Sequence, residues 1–169
     1  QVGIQSDWKL PIDAHWSIGW QIGIGNTKSK TDKALDMQSK YASFSGQYRD
    51  GPWRHYVALN VTDIEAAQKQ TQHRNHHFYR LDLASDYSIS STQQLKVGLQ
   101  WQQFNYNAID PTFLIIRDDT FWRASVGWQY LLNDSMVLNL QYRRSKKMSN
   151  GDIYAYSRDE LIIGLTKQF

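Results

Sequence analysis

Charged side chains recur at alternate positions of several stretches, each opposite a run of apolar residues. Arg80 and Asp82, for example, alternate with Leu81 and Leu83. Because successive residues of a β-strand point to opposite faces, this pattern gathers the charges on one face. The residues placed in this way are Arg54, Arg80, Asp82, Asp86, Arg123, Arg143, Arg158 and Glu160. Such a face can form a salt-bridged, hydrated network, which is the commoner case, or it can steer anionic and polar cargo.

The histidines are the other residues that suggest chemistry. His73, His76 and His77 could supply imidazoles to a divalent metal, although a solvated loop tip is the commoner setting. His55, His76 and Asp86 could serve a hydrolase, but no spacing marks a catalytic arrangement. We therefore predict no metal site, no cofactor and no enzymatic activity.

The elements that carry these side chains are about nine β-strands. The clearest runs over residues 16–25, where Trp16, Ile18 and Trp20 alternate with small and polar residues. Short turns alternate strictly with longer connections, which predicts an antiparallel up-and-down sheet. The longer connections are predicted at 26–36, 65–75 and 105–119, followed by a basic loop at 144–152.

Composition narrows the class of protein. The 169 residues allow one domain, 1–169, and contain no cysteine for disulfides or thiolate metal sites. A mean hydropathy of −0.61 and the lack of an 18-residue apolar run exclude a helical membrane span, but not a membrane barrel. Lysine and arginine are dispersed, so we predict no nucleic-acid partner.

The pattern of strands favours a membrane barrel over a soluble one. Membrane barrels have short turns at one end and long loops at the other, whereas soluble sandwiches show no such separation of short and long connections. A lipocalin-like or avidin-like barrel would have to bury up to seven tryptophans. In a membrane barrel, Trp and Tyr form interfacial girdles and the charged residues line the lumen. We predict an all-β, antiparallel up-and-down transmembrane β-barrel in the outer membrane of a Gram-negative bacterium.

The end of the chain supports this prediction. The run from Arg158 to Phe169 resembles the C-terminal insertion signal of outer-membrane proteins, with Gly164 and Phe169 in their expected places. It departs from the usual pattern at Lys167 and Ile162. The resemblance implies the barrel assembly machinery as a partner.

The strand count predicts that the wall is incomplete. Single-chain bacterial barrels have even numbers of strands, and lipid does not tolerate an unpaired sheet edge. Nine strands therefore predict the C-terminal part of a larger barrel, completed by an upstream segment or a second chain. The alternative is an eight-stranded barrel in which the weak third strand is misassigned.

The last third of the chain resembles a known family. The residues that carry the likeness are Arg117-Asp118, Tyr130, Tyr142, Ser149-Asn150, 154–158 and 164–169. They resemble the C-terminal barrel of the surface lipoprotein assembly modifier family and of related barrels that follow helical-repeat domains. The resemblance implies a translocation or export pore for lipoprotein-like protein cargo, and brings no catalytic residues. The alternatives are a porin, an exopolysaccharide-export channel, or a non-conducting barrel that anchors a periplasmic or surface assembly.

A membrane barrel implies outer-membrane lipid and lipopolysaccharide as partners. The basic stretch from Arg143 to Lys147 could contact lipopolysaccharide phosphates from just outside the membrane, and a solvated loop is an equal alternative. The cargo inside the barrel would be a protein or a polysaccharide.

Overall fold

Nine long strands make up most of the part of the chain that the structure describes. The structure is a computed structural model that describes residues 2–29, 31, 33 and 36–167. The strands are β1 (Val2–Pro11), β2 (Trp16–Thr27), β3 (Met37–Asp50), β4 (Trp53–Ala66), β5 (His76–Ser88), β6 (Gln93–Ile109), β7 (Ile116–Asn133), β8 (Met136–Ser149) and β9 (Tyr156–Lys167). Short 3-10 helices occur at Lys69–Arg74 and Asp152–Tyr154. In this part of the chain no helix has the length and apolar character needed to cross a membrane.

The strands form one sheet in sequence order. Each strand pairs antiparallel with the next, from β1 to β9. This confirms the prediction of an all-β, antiparallel up-and-down sheet and of nine strands. Within the described residues, β1 pairs only with β2 and β9 only with β8.

The two faces of the sheet are inverted relative to a water-soluble protein. Large apolar side chains are exposed on one face, for example Ile4 at 75% and Ile163 at 69%. The opposite face carries most of the buried residues, and several of them are polar: Asp119 is 0% exposed and Ser145 is 3% exposed. Exposed apolar patches of this extent mark a surface that contacts a membrane or another protein.

Aromatic rings line the apolar face at the end where the short turns lie. Trp16 packs on Tyr48 with ring centroids 4.8 Å apart, and Trp53 packs on Tyr87 at 4.5 Å. His55 connects these pairs, because its ring stacks on those of both Tyr48 and Trp53. The sequence analysis expected Trp and Tyr to form such a girdle near the strand ends.

Two predicted loops are shorter than the sequence indicated. The connection predicted at 105–119 is reduced to residues 110–115, because β6 runs to Ile109 and β7 begins at Ile116. The basic loop predicted at 144–152 was also wrong over residues 144–149, because β8 continues to Ser149. Beyond the apolar band both faces of a strand are polar, so the alternation of hydrophobicity ends while the backbone pairing continues.

A glycine on β2 accommodates a tyrosine from β3, and this contact gives a test of the packing. The Tyr41 ring lies over Gly23, where an added Cβ would come within 2.5 Å of it, and the Tyr41 hydroxyl donates to Gln5 Oε1 at 2.9 Å. We expect Gly23→Ala to displace the ring and to lower the free energy of unfolding by about 1–3 kcal/mol. Urea unfolding of the detergent-folded protein measures this loss.

Gly127→Ala is the matched control. Its Cβ would meet no atom closer than 3.5 Å, an ordinary van der Waals distance. Equal effects of the two substitutions would contradict the packing assigned to Tyr41.

Candidate functional site

Every charged residue that the sequence analysis assigned to a lumen lies on the polar face of the sheet, and most are in ion pairs. Arg54 Nε lies 3.8 Å from Asp86 Oδ2 on the neighbouring strand. At the far end of the sheet, Glu160 lies between two arginines: its carboxylate is 2.9 Å from Arg158 Nη2 and 3.9 Å from Arg143 Nη1. The charged face therefore contains a salt-bridged network.

The centre of the face carries a connected chain of hydrogen bonds. Arg80 Nε donates to Asp82 Oδ2 at 2.6 Å, and Gln100 Nε2 donates to the other oxygen of Asp82 at 2.7 Å. Gln102 Nε2 then donates to Gln100 Oε1 at 2.9 Å. Each side chain fixes the orientation of its neighbour, so the carboxylate of Asp82 is held by donors from two strands.

Arg123 differs from the other arginines of this network. Its Nε donates to Ser145 Oγ at 3.3 Å, and its guanidinium lies 5.0 Å from the centre of the Phe121 ring. Among the described residues no carboxylate lies within ion-pair distance of it. Arg80, Arg123 and Lys147 line a cavity of about 320 Å³ on this face. Its positive charge is only partly balanced, so the cavity suits an anion or a polar solute.

A second buried cluster lies at the long-loop end of the same face. Asp119 is fully buried, with its Oδ2 2.9 Å from Lys147 Nζ and 3.2 Å from Arg117 Nε. The Arg117 guanidinium lies between two tyrosine rings, 3.8 Å from the centre of Tyr106 and 4.1 Å from that of Tyr154. Sequence analysis missed this cluster because it assigned Asp119, Lys147 and most of their partners to the loops at 105–119 and 144–152. The signal that could have found it is the alternation of Arg117, Asp119 and Phe121.

The loops beyond this cluster are tied to each other. Asp110 Oδ1 accepts the Thr112 backbone N–H at 2.8 Å, and Asp110 Oδ2 accepts the Tyr154 hydroxyl at 3.1 Å. The Phe113 ring also packs edge-on against Tyr154, with centroids 5.8 Å apart. The Thr112 N–H, followed by the Tyr154 hydroxyl, lowers the pKa of Asp110 below its ordinary value, because both stabilise the carboxylate.

The histidines do not assemble into a site. His76 is buried on the polar face, whereas His77, the next residue of the strand, points to the other face and lies 3.1 Å from Asp63. His55 is on the apolar face, hydrogen-bonded to Ser85 Oγ at 2.9 Å, so the sheet separates it from Asp86. In residues 2–29, 31, 33 and 36–167, no group of three His, Cys, Asp or Glu side chains is arranged to hold a metal ion.

Of the two residues assigned to the insertion signal, the structure describes only Gly164. Gly164 lies on the polar face of β9, opposite Asn139 of β8. Phe169 lies outside the described residues. The role of both residues in insertion stays a prediction.

Comparisons with solved structures identify the fold. Outer-membrane expressed OmpT of Vibrio cholerae superimposes with a TM-score of 0.74 at 12% identity, over 98% of this chain and 56% of that one. In-vitro folded OmpT gives 0.73 at 11%, over 98% and 55%. The OmpT variant that lacks loop L8 gives 0.74 at 12%, over 98% and 53%.

The fold is that of an outer-membrane β-barrel. The chain spans a little over half the length of the OmpT structures that it matches. Comparison of the sequence with family profiles and with curated proteins finds no match. The resemblance to the surface lipoprotein assembly modifier family is therefore supported only as far as an outer-membrane barrel.

One prediction of the sequence analysis needs correction. The prediction that the chain is not an enzyme was wrong, because the chain has the fold of the OmpT structures and that fold does not exclude catalysis. At 11–12% identity this likeness shows the fold alone, and it neither excludes catalysis nor assigns a catalytic residue.

The buried carboxylate of Asp119 allows a direct test of the cluster at the long-loop end. Asp119→Ala leaves the part-buried Arg117 and Lys147 cations without their partner, so we expect the free energy of unfolding to fall by about 3 kcal/mol. Asp118→Ala is the matched control, since the neighbouring Asp118 side chain points to the other face and is exposed. Urea unfolding measures both variants, and equal losses would contradict the cluster.

The lowered pKa of Asp110 predicts a pH dependence for the loop at 110–115. A carboxyl whose pKa is lower in the folded protein stabilises the fold fully above its unfolded pKa, and that contribution is lost as pH falls through the folded pKa. Hydrogen exchange at 112–115, corrected for intrinsic rates, should therefore accelerate below the ordinary aspartate pKa of 3.8. Asp110→Asn should remove this dependence, and a flat profile in the unmodified protein would contradict it.

Proposed function

We propose that this chain forms part of the wall of an outer-membrane channel that passes polar cargo along its charged face. The observation that carries the proposal is the inverted sheet, with exposed apolar side chains on one face and buried ion pairs such as Lys147 to Asp119 on the other. In a bilayer, the apolar face meets lipid and the charged face remains hydrated. Outer-membrane lipid and lipopolysaccharide are then its partners, and the barrel assembly machinery inserts it.

The charge of the polar face favours anionic cargo. Basic side chains on it outnumber acidic ones. The basic residues are Lys9, Arg49, Arg54, Arg80, Lys96, Arg117, Arg123, Arg143, Lys147 and Arg158, and the acidic ones are Asp7, Asp82, Asp86, Asp119 and Glu160. A wall with excess positive charge raises the local concentration of anions.

We further propose that the cargo is an extended, lipoprotein-like polypeptide, as the family resemblance implies. The polar face of β2 supports this, because it carries only small residues at Ser17 and Gly19, whereas the Tyr41 ring covers it at Gly23. Ser17 and Gly19 line a cavity of about 310 Å³, together with the polar side chains of Asp7, Gln21 and Gln47. Small side chains leave room for a backbone, and the amides can bond to its peptide groups.

The edges of the sheet need strand partners. Unpaired N–H and C=O groups are costly in lipid, and β1 and β9 each have one partner in the described residues. We propose that further strands, from an upstream segment or a second chain, pair with these edges. The matched OmpT chains are longer, which is consistent with a larger barrel.

Conductance tests the channel. The native protein that contains this chain is purified from outer membranes and reconstituted in planar bilayers under a KCl gradient. We expect a water-filled conductance that prefers anions. Arg123→Glu should lower the anion-to-cation permeability ratio by at least about fivefold, because one unit charge about 4 Å from an ion contributes roughly 1 kcal/mol in water and the reversal acts on both ions.

Lys40→Glu is the matched control, because Lys40 lies on the apolar face and is exposed. It should insert and conduct as the unmodified protein does. A folded protein that does not conduct would instead be an anchor. Unchanged selectivity in Arg123→Glu would overturn passage along the charged face and leave it a structural network.

A further inference from the structure

Two basic side chains of β8 point away from the charged face. Arg144 and Lys146 are exposed on the apolar face, whereas Arg143 and Lys147 on either side of them are part-buried on the polar face. A charge on the apolar face of a membrane strand is costly at mid-bilayer but not at the interface. Arg144 and Lys146 therefore mark where the lipid-facing surface reaches the headgroups.

The surroundings of these two residues also indicate the interface. On the short-turn side the same face is apolar, with Tyr142, Val126 and Leu161 exposed at 43%, 44% and 68%. Beside them the rings of Trp101 and Trp122 lie 6.3 Å apart, and Trp122 is the register partner of Lys146. Tryptophan is enriched at headgroup depth, so acyl chains would lie over the apolar part and headgroups at the cations.

The positive charge here is only partly balanced. Asp159 lies 3.9 Å from Arg144, but both side chains are largely exposed, which makes this a weak ion pair. Asp159 also accepts a hydrogen bond from the Tyr142 hydroxyl at 2.6 Å. The register partners of Lys146 are Trp122 and Ser157, neither of which is acidic.

We propose that Arg144 and Lys146 form a binding site for a phosphate group of an acylated, phosphorylated glycolipid of the outer leaflet. The proposal rests on the proposed membrane location of the chain. Arginine binds phosphate through two parallel hydrogen bonds, and lysine adds a point charge. The two residues stand two positions apart on one strand, about 7 Å, so one phosphate or two adjacent phosphates can contact both.

This site refines the role first assigned to the basic stretch. A solvated loop would present all of its cations to water, whereas the strand presents only Arg144 and Lys146 to lipid. The occupant must also carry acyl chains, because the surface next to the cations is apolar and exposed. A soluble anion would leave that surface uncovered, so a lipid fits better than a free phosphate.

The experiment measures lipid retention by native mass spectrometry of the native protein in detergent. The probe is a diphosphorylated, hexa-acylated glucosamine disaccharide, and its phosphate-free counterpart serves as the control lipid. Each basic residue near an anionic lipid surface contributes about fivefold. The double variant R144Q/K146Q should therefore bind the diphosphorylated lipid about 30-fold more weakly and the phosphate-free lipid unchanged.

Asp159→Asn provides a control of opposite sign at the same site. It removes the anion that competes with phosphate for Arg144, so lipid retention should rise severalfold, whereas a merely structural role would lower it. Equal binding of both lipids, no effect of the double variant, or displacement of the lipid by inorganic phosphate alone would overturn the proposal. Conductance of the same samples tests the proposed channel separately. Failure of the lipid site can therefore be distinguished from failure of the channel.

Discussion

A strand that meets lipid must satisfy its backbone N–H and C=O groups through its neighbours, because the bilayer core offers no water. The sheet meets this constraint by continuous antiparallel pairing, in which each of β2 to β8 has a partner on both sides. This pairing uses backbone groups only, so it leaves the choice of side chains open. Once the backbone is paired, alternate residues are free to be apolar toward lipid and charged toward the interior.

Charged side chains on the polar face must then be paired with opposite charges where they are buried. A buried ion needs opposite charges to offset its lost hydration, and Asp119, with no exposed surface, has the cations of Lys147 and Arg117 within ion-pair distance. Arg117 is in turn held between Tyr106 and Tyr154, so the loop that carries Tyr154 is connected to the strands through a cation. Loop position and strand electrostatics are therefore coupled at this end of the sheet.

Much of the fold could be predicted from the sequence because two-residue alternation survives in a membrane strand. The nine strands, their order and the face of Arg80, Asp82 and Glu160 all followed from it. Alternation failed outside the apolar band, where β6, β7 and β8 continue with polar residues on both faces. It failed for the site as well, because the Asp119 cluster lies in that region and depends on contacts between distant residues.

The stretch from Arg143 to Lys147 shows how much depends on register. Read as a loop, it is a single basic patch; paired as a strand, it divides into inward Arg143 and Lys147 and outward Arg144 and Lys146. A slip of one residue would exchange the two sets, burying Arg144 and exposing the ion-paired Lys147 to lipid. The pairing of Lys147 with the buried Asp119 opposes such a slip. The same contact that stabilises the polar face therefore also keeps Arg144 and Lys146 on the apolar face.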